Sequence, residues 1–230
     1  MSVQSQSELK NSITKLEADV TGIINLGARP GDRLAESARK LLPAAQSIVV
    51  FATEVYRESV DLLSTEMTTG EASLNAIFVR NSDYVCSRLN KAAFDAVRLS
   101  HRHGFKALPL TADGGPFDGR FLFAPFSYKH AAEAAGLGYF GKSSLIISPE
   151  FGPRMRLSCC LTEAGLEPTP GSGGASQCAG CQVCIDSCPA EALAEPAGDD
   201  PYAINKSACS LFRNTSGGCA NCMKVCPGGF

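Results

Sequence analysis

Eight of the eleven cysteines lie between residues 178 and 226, in two interlocking runs. Cys178, Cys181, Cys184 and Cys188 form CAGCQVCIDSCP, the C-x2-C-x2-C-x3-C-P spacing that holds cubane iron–sulfur clusters. Cys219, Cys222 and Cys226 form CANCMKVCP, with Cys209 upstream as a fourth thiolate. Two [4Fe–4S] clusters need eight thiolates, and in paired modules the last cysteine of a run ligates the other cluster. The spacing therefore predicts one set of Cys178, Cys181, Cys184 and Cys226, and another of Cys209, Cys219, Cys222 and Cys188. The proline after Cys188 and after Cys226 has no N–H and sets the direction of the chain as it leaves each run.

Structural zinc is the competing reading, because four-cysteine zinc sites also use CxxC pairs. Zinc has no need of a third cysteine at the same spacing, nor of CP after an x3 gap, twice over. A disulfide framework would need an oxidising compartment, and the N-terminus MSVQSQSELKNSITKLEADV has neither an apolar centre nor a twin arginine. The expected location is cytoplasmic. With 44% hydrophobic residues the chain can bury a core, yet no window approaches a membrane span. Net charge is −2 with scattered Lys and Arg, which argues against direct tRNA or DNA binding.

Composition changes at EAGLEPTPGSGGASQ, residues 163–177, a Gly/Pro/Ser-rich stretch without periodicity. The expected organisation is a cofactor-binding domain over 1–165, a linker over 166–177 and a cluster module over 178–230, with EPAGDDP (195–201) as a surface loop. In the first part, periodicity predicts a helix over 8–24. Asp32 is expected to cap a helix running to Leu42, and SIVVFA (47–52) to form a buried strand. Residues 53–80 give no clear period. A helix is expected over 84–102 and strands over 105–110, 143–148 and 155–161; Ser127 should cap a short helix that Gly136 ends. Alternating elements suggest an α/β sheet domain.

Residues 136–143, GLGYFGKS, satisfy both G-x-G-x-x-G and G-x-x-x-x-G-K-S. Both motifs need a strand before the glycines and a helix after, so that phosphate meets a helix N-terminus. Here an alanine-rich helix precedes and an apolar strand follows, so nucleotide binding is not expected. The glycines read as a tight turn that brings backbone close to a flat cofactor.

The stretch SYKHAAEAAGLGYFGKSSLIISPEFGPRMRLSCCLTEAGLEP (127–168), followed by CAGCQVCIDSCPAEAL, resembles the epoxyqueuosine reductases, relatives of the reductive dehalogenases. LLPAAQSIVVFA (41–52) resembles the same family's first sheet strand. The resemblance implies an α/β (α+β) nitroreductase-like sheet domain with a C-terminal bacterial-type two-cluster ferredoxin domain, in a short form lacking the family's C-terminal helical repeats. It implies a bound cobalamin reduced through the clusters, with FMN as the alternative such sheets commonly hold. It also implies a low-potential electron donor such as ferredoxin or flavodoxin, and a small-molecule or modified-nucleoside substrate.

On that resemblance Gly138, Gly141, Lys142, Ser143, Ser144 and Arg154 are the expected cofactor-binding residues, with Arg156 a further cation. The family's catalytic aspartate is replaced here by Leu122, and Tyr128 stands where a glutamate is usual. Proton delivery then falls to Tyr128 and His130, with Asp113 a substitute for the missing carboxylate. An electron-transfer or corrinoid-handling protein without its own substrate chemistry is the alternative function. His101 and His103 read as helix-end residues, and Cys86, Cys159 and Cys160 as buried thiols.

Overall fold

The structure is a computed structural model that describes residues 3–29, 31–64, 70–112, 118–171, 176–197 and 203–228; Asp113 lies outside them. The chain forms two compact units whose segments alternate along the sequence. One takes Met1–Thr53, Val85–Leu137 and Arg156–Gly171; the other takes Glu54–Tyr84, Gly138–Met155 and Ser172–Phe230. The cysteine-bearing unit is thus larger than the stretch 178–230, because two earlier segments fold with it. No helix among the described residues is long and apolar enough to cross a membrane.

The first unit is built on a four-stranded sheet in the order β1-β2-β6-β3, with β1 over Val20–Asn25, β2 over Ser47–Glu54, β3 over Ala107–Leu110 and β6 over Met155–Thr162. β1 and β2 are antiparallel, with Val20 opposite Ala52, and so are β3 and β6, with Leu110 opposite Cys159. β2 is buried along nearly its whole length, as its unbroken apolar run requires. Helix α1 (Val3–Ile13) and residues 85–102 of α4 (Glu71–Arg102) supply the other side of the core. Leu9, Ile13, Leu89, Ala92 and Ala96 meet Ile23, Val49, Phe51 and Cys160 there.

Three expectations fail in instructive ways. Residues 20–25 form strand β1 rather than the end of a helix over 8–24. Helical spacing can be traced through VTGII, but β-branched side chains pair more readily on a pleated sheet, and α1 stops at Ile13. The long helix α4 begins at Glu71, not near 84. Its first turns bury Asn75, a polar residue that reads as a surface position in sequence. The strand expected over 143–148 shortens to β5 (Ile146–Ile147), paired with β4 (Tyr139–Phe140).

The capping signals hold. Asp32 accepts the Leu34 N–H at 2.8 Å and opens α2 (Arg33–Leu41); Ser127 opens α5 (Tyr128–Ala134), its hydroxyl accepting the His130 N–H at 3.3 Å. Gly136 leaves α5 at φ 73, where a left-handed residue is needed. α5 lies on β1 at Gly22, where a Cβ would sit 2.7 Å from Ala135 Cβ and 3.0 Å from Leu137 Cδ2.

In the second unit, α3 (Arg57–Asp61) and α8 (Asn221–Lys224) share a small core of Val55, Val60, Leu63, Phe78, Ala220 and Met223. Lys224 donates to the Asp61 and Leu63 carbonyls at 2.8 and 2.7 Å, a cation on the open end of α3. Asn75 accepts the Ser64 N–H at 3.0 Å and donates to the Ser64 and Ser216 carbonyls, both at 3.1 Å.

Gly22→Val is expected to destabilise the protein by about 1–3 kcal/mol through overpacking against α5, measured by urea unfolding. Asp32→Ala should cost about 1 kcal/mol at neutral pH as a lost cap. Burial pushes the Asp32 carboxyl up, but the Leu34 N–H and the Arg29 guanidinium outweigh it and leave it below its usual value. Its contribution is therefore present above the ordinary aspartate value of about 3.9 and lost as pH falls through the folded value. The gap between wild type and Asp32→Ala should shrink on acidification; a gap that is constant with pH would contradict this.

Candidate metal centre and its surroundings

The eight cysteines sit on short elements of the second unit. Cys181 N–H donates to the Cys178 carbonyl at 3.1 Å, and Cys184 lies on α6 (Val183–Asp186). Cys188 ends that run, and its sulfur accepts the Ala192 N–H at 3.3 Å. Cys209 lies on α7 (Lys206–Thr215), whose cap is Asn205, accepting the Ala208 N–H at 3.0 Å. Gly217 and Gly218, at φ 70 and 127, turn the chain back to Cys219 and then α8, which carries Cys222. Asn221 ties the two runs together by donating to the Ser187 carbonyl at 2.6 Å.

The electrostatic neighbours of the thiols sort them into groups. Burial raises the Cys184 thiol first, then Cys178, Cys226 and Cys181. Burial also raises Cys226, which feels Cys178 and Cys181. Cys222 is pushed up to about 12, by burial first and then by Cys219, Cys209, Cys184 and Cys188. Cys226 is thus coupled to Cys178 and Cys181 of the first run, while Cys222 is coupled to Cys209 and Cys219 and also to Cys184 and Cys188. Among the described residues, no three His, Cys, Asp or Glu side chains are arranged to hold a single metal ion.

Two glycines pack against the sulfurs of the first foursome, Cys178, Cys181, Cys184 and Cys226. A Cβ on Gly141 would lie 3.5 Å from Cys178 Sγ, and one on Gly228 would lie 3.6 Å from Cys226 Sγ. Tyr139 belongs to the same surroundings: its hydroxyl accepts the Gln177 N–H at 2.9 Å, and burial, then the thiols of Cys178, Cys226 and Cys181, raise it above its usual value.

The GLGYFGKS segment is a hairpin. After Gly136 the chain runs through β4, turns at residues 141–144 with Ser144 at φ 57, and returns as β5. No helix follows the glycines, so the phosphate-loop geometry is absent from this segment. The six residues expected to bind a corrinoid or flavin all fall in the cysteine-bearing unit. Gly138 faces Ile147, whose carbonyl oxygen would lie 2.3 Å from a Cβ there, and Gly141 faces Ile147 and Cys178. Lys142 pairs with Glu195 at 2.8 Å; Ser143 and Ser144 are buried; Arg154 is buried and reaches Glu54 at 3.5 Å.

Tyr128 and His130 lie in the first unit. The Tyr128 hydroxyl donates to the Thr111 carbonyl at 2.9 Å, so its proton is engaged with backbone. His130 Nδ1 lies 2.9 Å from the Ser127 hydroxyl. Sequence reasoning missed Asp32 here: besides capping α2, its carboxylate is stabilised by the His130 charge, which puts an acidic partner near the histidine. The two belong to separate helices, and no short motif links them. Leu122, at the position of the family's aspartate, has φ 48 in a turn closed by the Asp118–Phe123 bridge, with Phe121 and Phe123 exposed. His103 bonds Ser5 at 3.1 Å, as a helix-end residue can.

No protein-family profile matches the chain. The tetrachloroethene reductive dehalogenase of Dehalobacter restrictus is 26% identical over 200 residues, 79% of this chain and 32% of the relative. An epoxyqueuosine reductase from a Synechococcus species is 34% identical over 118 residues, 45% of this chain and 35% of the relative. The chain is a relative of both reductase groups. It spans about a third of the length of these curated relatives.

Solved structures show the same fold. A catabolic reductive dehalogenase superposes with a TM-score of 0.72 at 19% identity, covering 95% of this chain and 31% of that one. An epoxyqueuosine reductase solved with a tRNA-Tyr stem loop gives 0.56 at 20% identity, covering 97% and 65%. A further reductive dehalogenase, at 0.70 and 20%, was described with a mechanism for B12-dependent dehalogenation.

Cys159 and Cys160 are fully buried, and burial raises both thiols, Cys160 to about 12. In apoprotein kept folded under anaerobic conditions, both should resist iodoacetamide, since the thiolate is the reacting form, as should Cys222, which is raised as far as Cys160, while the other half-exposed cysteines of the two runs label. Mass spectrometry of the labelled peptides checks this.

Proposed function

We propose that this chain is an iron–sulfur reductase in which two [4Fe–4S] clusters carry low-potential electrons. One would be held by Cys178, Cys181, Cys184 and Cys226, the other by Cys188, Cys209, Cys219 and Cys222. The observation that carries the reading is the spacing of the two cysteine runs, C-x2-C-x2-C-x3-C-P and C-x2-C-x3-C-P with Cys209 upstream; the coupling of Cys226 to Cys178 and Cys181 supports the crossed assignment. Zinc suits the arrangement less well. Four-cysteine zinc sites need no third cysteine at x2 spacing and no CP after an x3 gap, and both features are present here. Residues 178–230 would then act as a two-cluster ferredoxin-type module, supported by 54–84 and 138–155 from the same unit.

In this reading a donor such as ferredoxin or flavodoxin supplies electrons, and the substrate is a small molecule or a modified nucleoside. Support for the reductase class comes from the relatives, which are named as reductases on two substrate types. The corrinoid reading rests on those relatives. When bound, cobalamin would supply a reduced metal nucleophilic enough to open an epoxide or a carbon–halogen bond. Gly138, Gly141, Lys142, Ser143, Ser144 and Arg154 are the residues that would hold it, and proton supply would come from the first unit. His130 is the better placed donor, since the Tyr128 proton is already shared with Thr111.

Leu122 in place of the aspartate favours a second reading, a protein that reduces a cofactor or partner without substrate chemistry of its own. Anaerobic reconstitution, followed by titration with cob(II)alamin and separately with FMN, tests both. A base-off cobalamin spectrum that responds to cluster reduction supports the corrinoid; tight FMN binding with no cobalamin response replaces it with flavin. Zinc without inorganic sulfide in the purified protein would end the proposal. His130→Gln should abolish turnover and leave cluster reduction intact, whereas Tyr128→Phe should be milder.

A further inference from the structure

We propose that Lys142 and Glu195 set the reduction potential of the cluster held by Cys178, Cys181, Cys184 and Cys226, the ammonium favouring the added electron and the carboxylate opposing it. The inference rests on the iron–sulfur reading above and deepens it.

Lys142 follows Gly141, the residue whose backbone comes so close to Cys178 that a Cβ would lie 3.5 Å from the sulfur. Its Nζ is 2.8 Å from Glu195 Oε1. The two members of the pair are unequally sheltered: the lysine side chain is 14% exposed and the glutamate 55%. Water and salt screen the exposed charge more than the sheltered one. The ammonium is therefore the less screened member of the pair. The thiols of Cys178 and Cys181 in turn help to hold the ammonium in its charged form.

Accepting one electron takes a cubane with its four thiolates from a dianion to a trianion, with no bond made or broken. A nearby cation lowers the cost of that step, and charge and hydrogen bonding around the sulfurs are established determinants of cluster potential. Arg154, paired with Glu54, repeats the arrangement beside Cys226, so removing Lys142 shifts the couple without stripping all positive charge from it. The second foursome is not served in this way by Lys224, whose Nζ is held on the Asp61 and Leu63 carbonyls. The effect belongs to one cluster.

The test uses the full chain, reconstituted anaerobically, as wild type, Lys142→Met, Lys142→Arg and Glu195→Gln. Iron and sulfide are counted first, and each couple is then followed by EPR during a redox titration. Lys142→Met is expected to lower one of the two potentials by on the order of tenfold in the one-electron equilibrium, about 59 mV, and to leave the other in place. Lys142→Arg should keep the wild-type value, and Glu195→Gln should raise the same potential by less, an effect that fades with added salt. Absence of iron and sulfide from every protein, wild type included, would overturn the iron–sulfur reading itself. Clusters present with both potentials unmoved in Lys142→Met would overturn this inference alone. If Lys142→Met fails to assemble clusters, Glu195→Gln decides, and an unmoved potential there overturns the inference.

Discussion

Bringing eight thiols together is the constraint on which the cysteine-bearing unit depends. Each thiolate repels the next, and burial raises the cost of charging any of them, as the upward shift of Cys222 to about 12 records. A chain tolerates such a concentration where something compensates for it. Here part of the compensation is built in. Main-chain N–H groups point at sulfur, as Ala192 does at Cys188, and the cations Lys142 and Arg154 stand beside the first foursome, each paired with a carboxylate. A polynuclear metal centre would supply the rest.

The supports are drawn from segments distant in sequence. Asn75 ties the 64 region to the end of α7 through three hydrogen bonds, Lys224 closes α3, and Asn221 joins the first cysteine run to the second. The hairpin over 138–147 serves the same unit. Gly138 and Gly141 admit Ile147 at distances no side chain would permit. A motif that reads like a nucleotide loop is here a packing device, and the order of elements around it already pointed that way: phosphate loops need a helix after the glycines.

Local chemistry was legible wherever it closed on itself within a few residues. Asp32 and Ser127 cap their helices because a short oxygen-bearing side chain reaches an N–H two or three residues on, whatever lies beyond. The run SIVVFA had to be a buried strand, since no face of it tolerates water. Where two periods fit, sequence reasoning chose wrongly: residues 20–25 became a strand because a sheet partner, residues 47–52, was available to them. The first turns of α4 were illegible because their buried residue, Asn75, is polar and finds its partners at 64 and 216.

By itself the sequence determined the caps, the buried strand and the order of elements around the glycines, since spacing and short-range hydrogen bonding carry each of these. Tertiary structure alone decided which other segments join the cysteines, that Lys142 is sheltered while Glu195 is exposed, and that Asp32 comes near His130. Those relations depend on long-range approach between elements. No interval along the chain encodes the distance between side chains that meet only after the sheet and helices have packed.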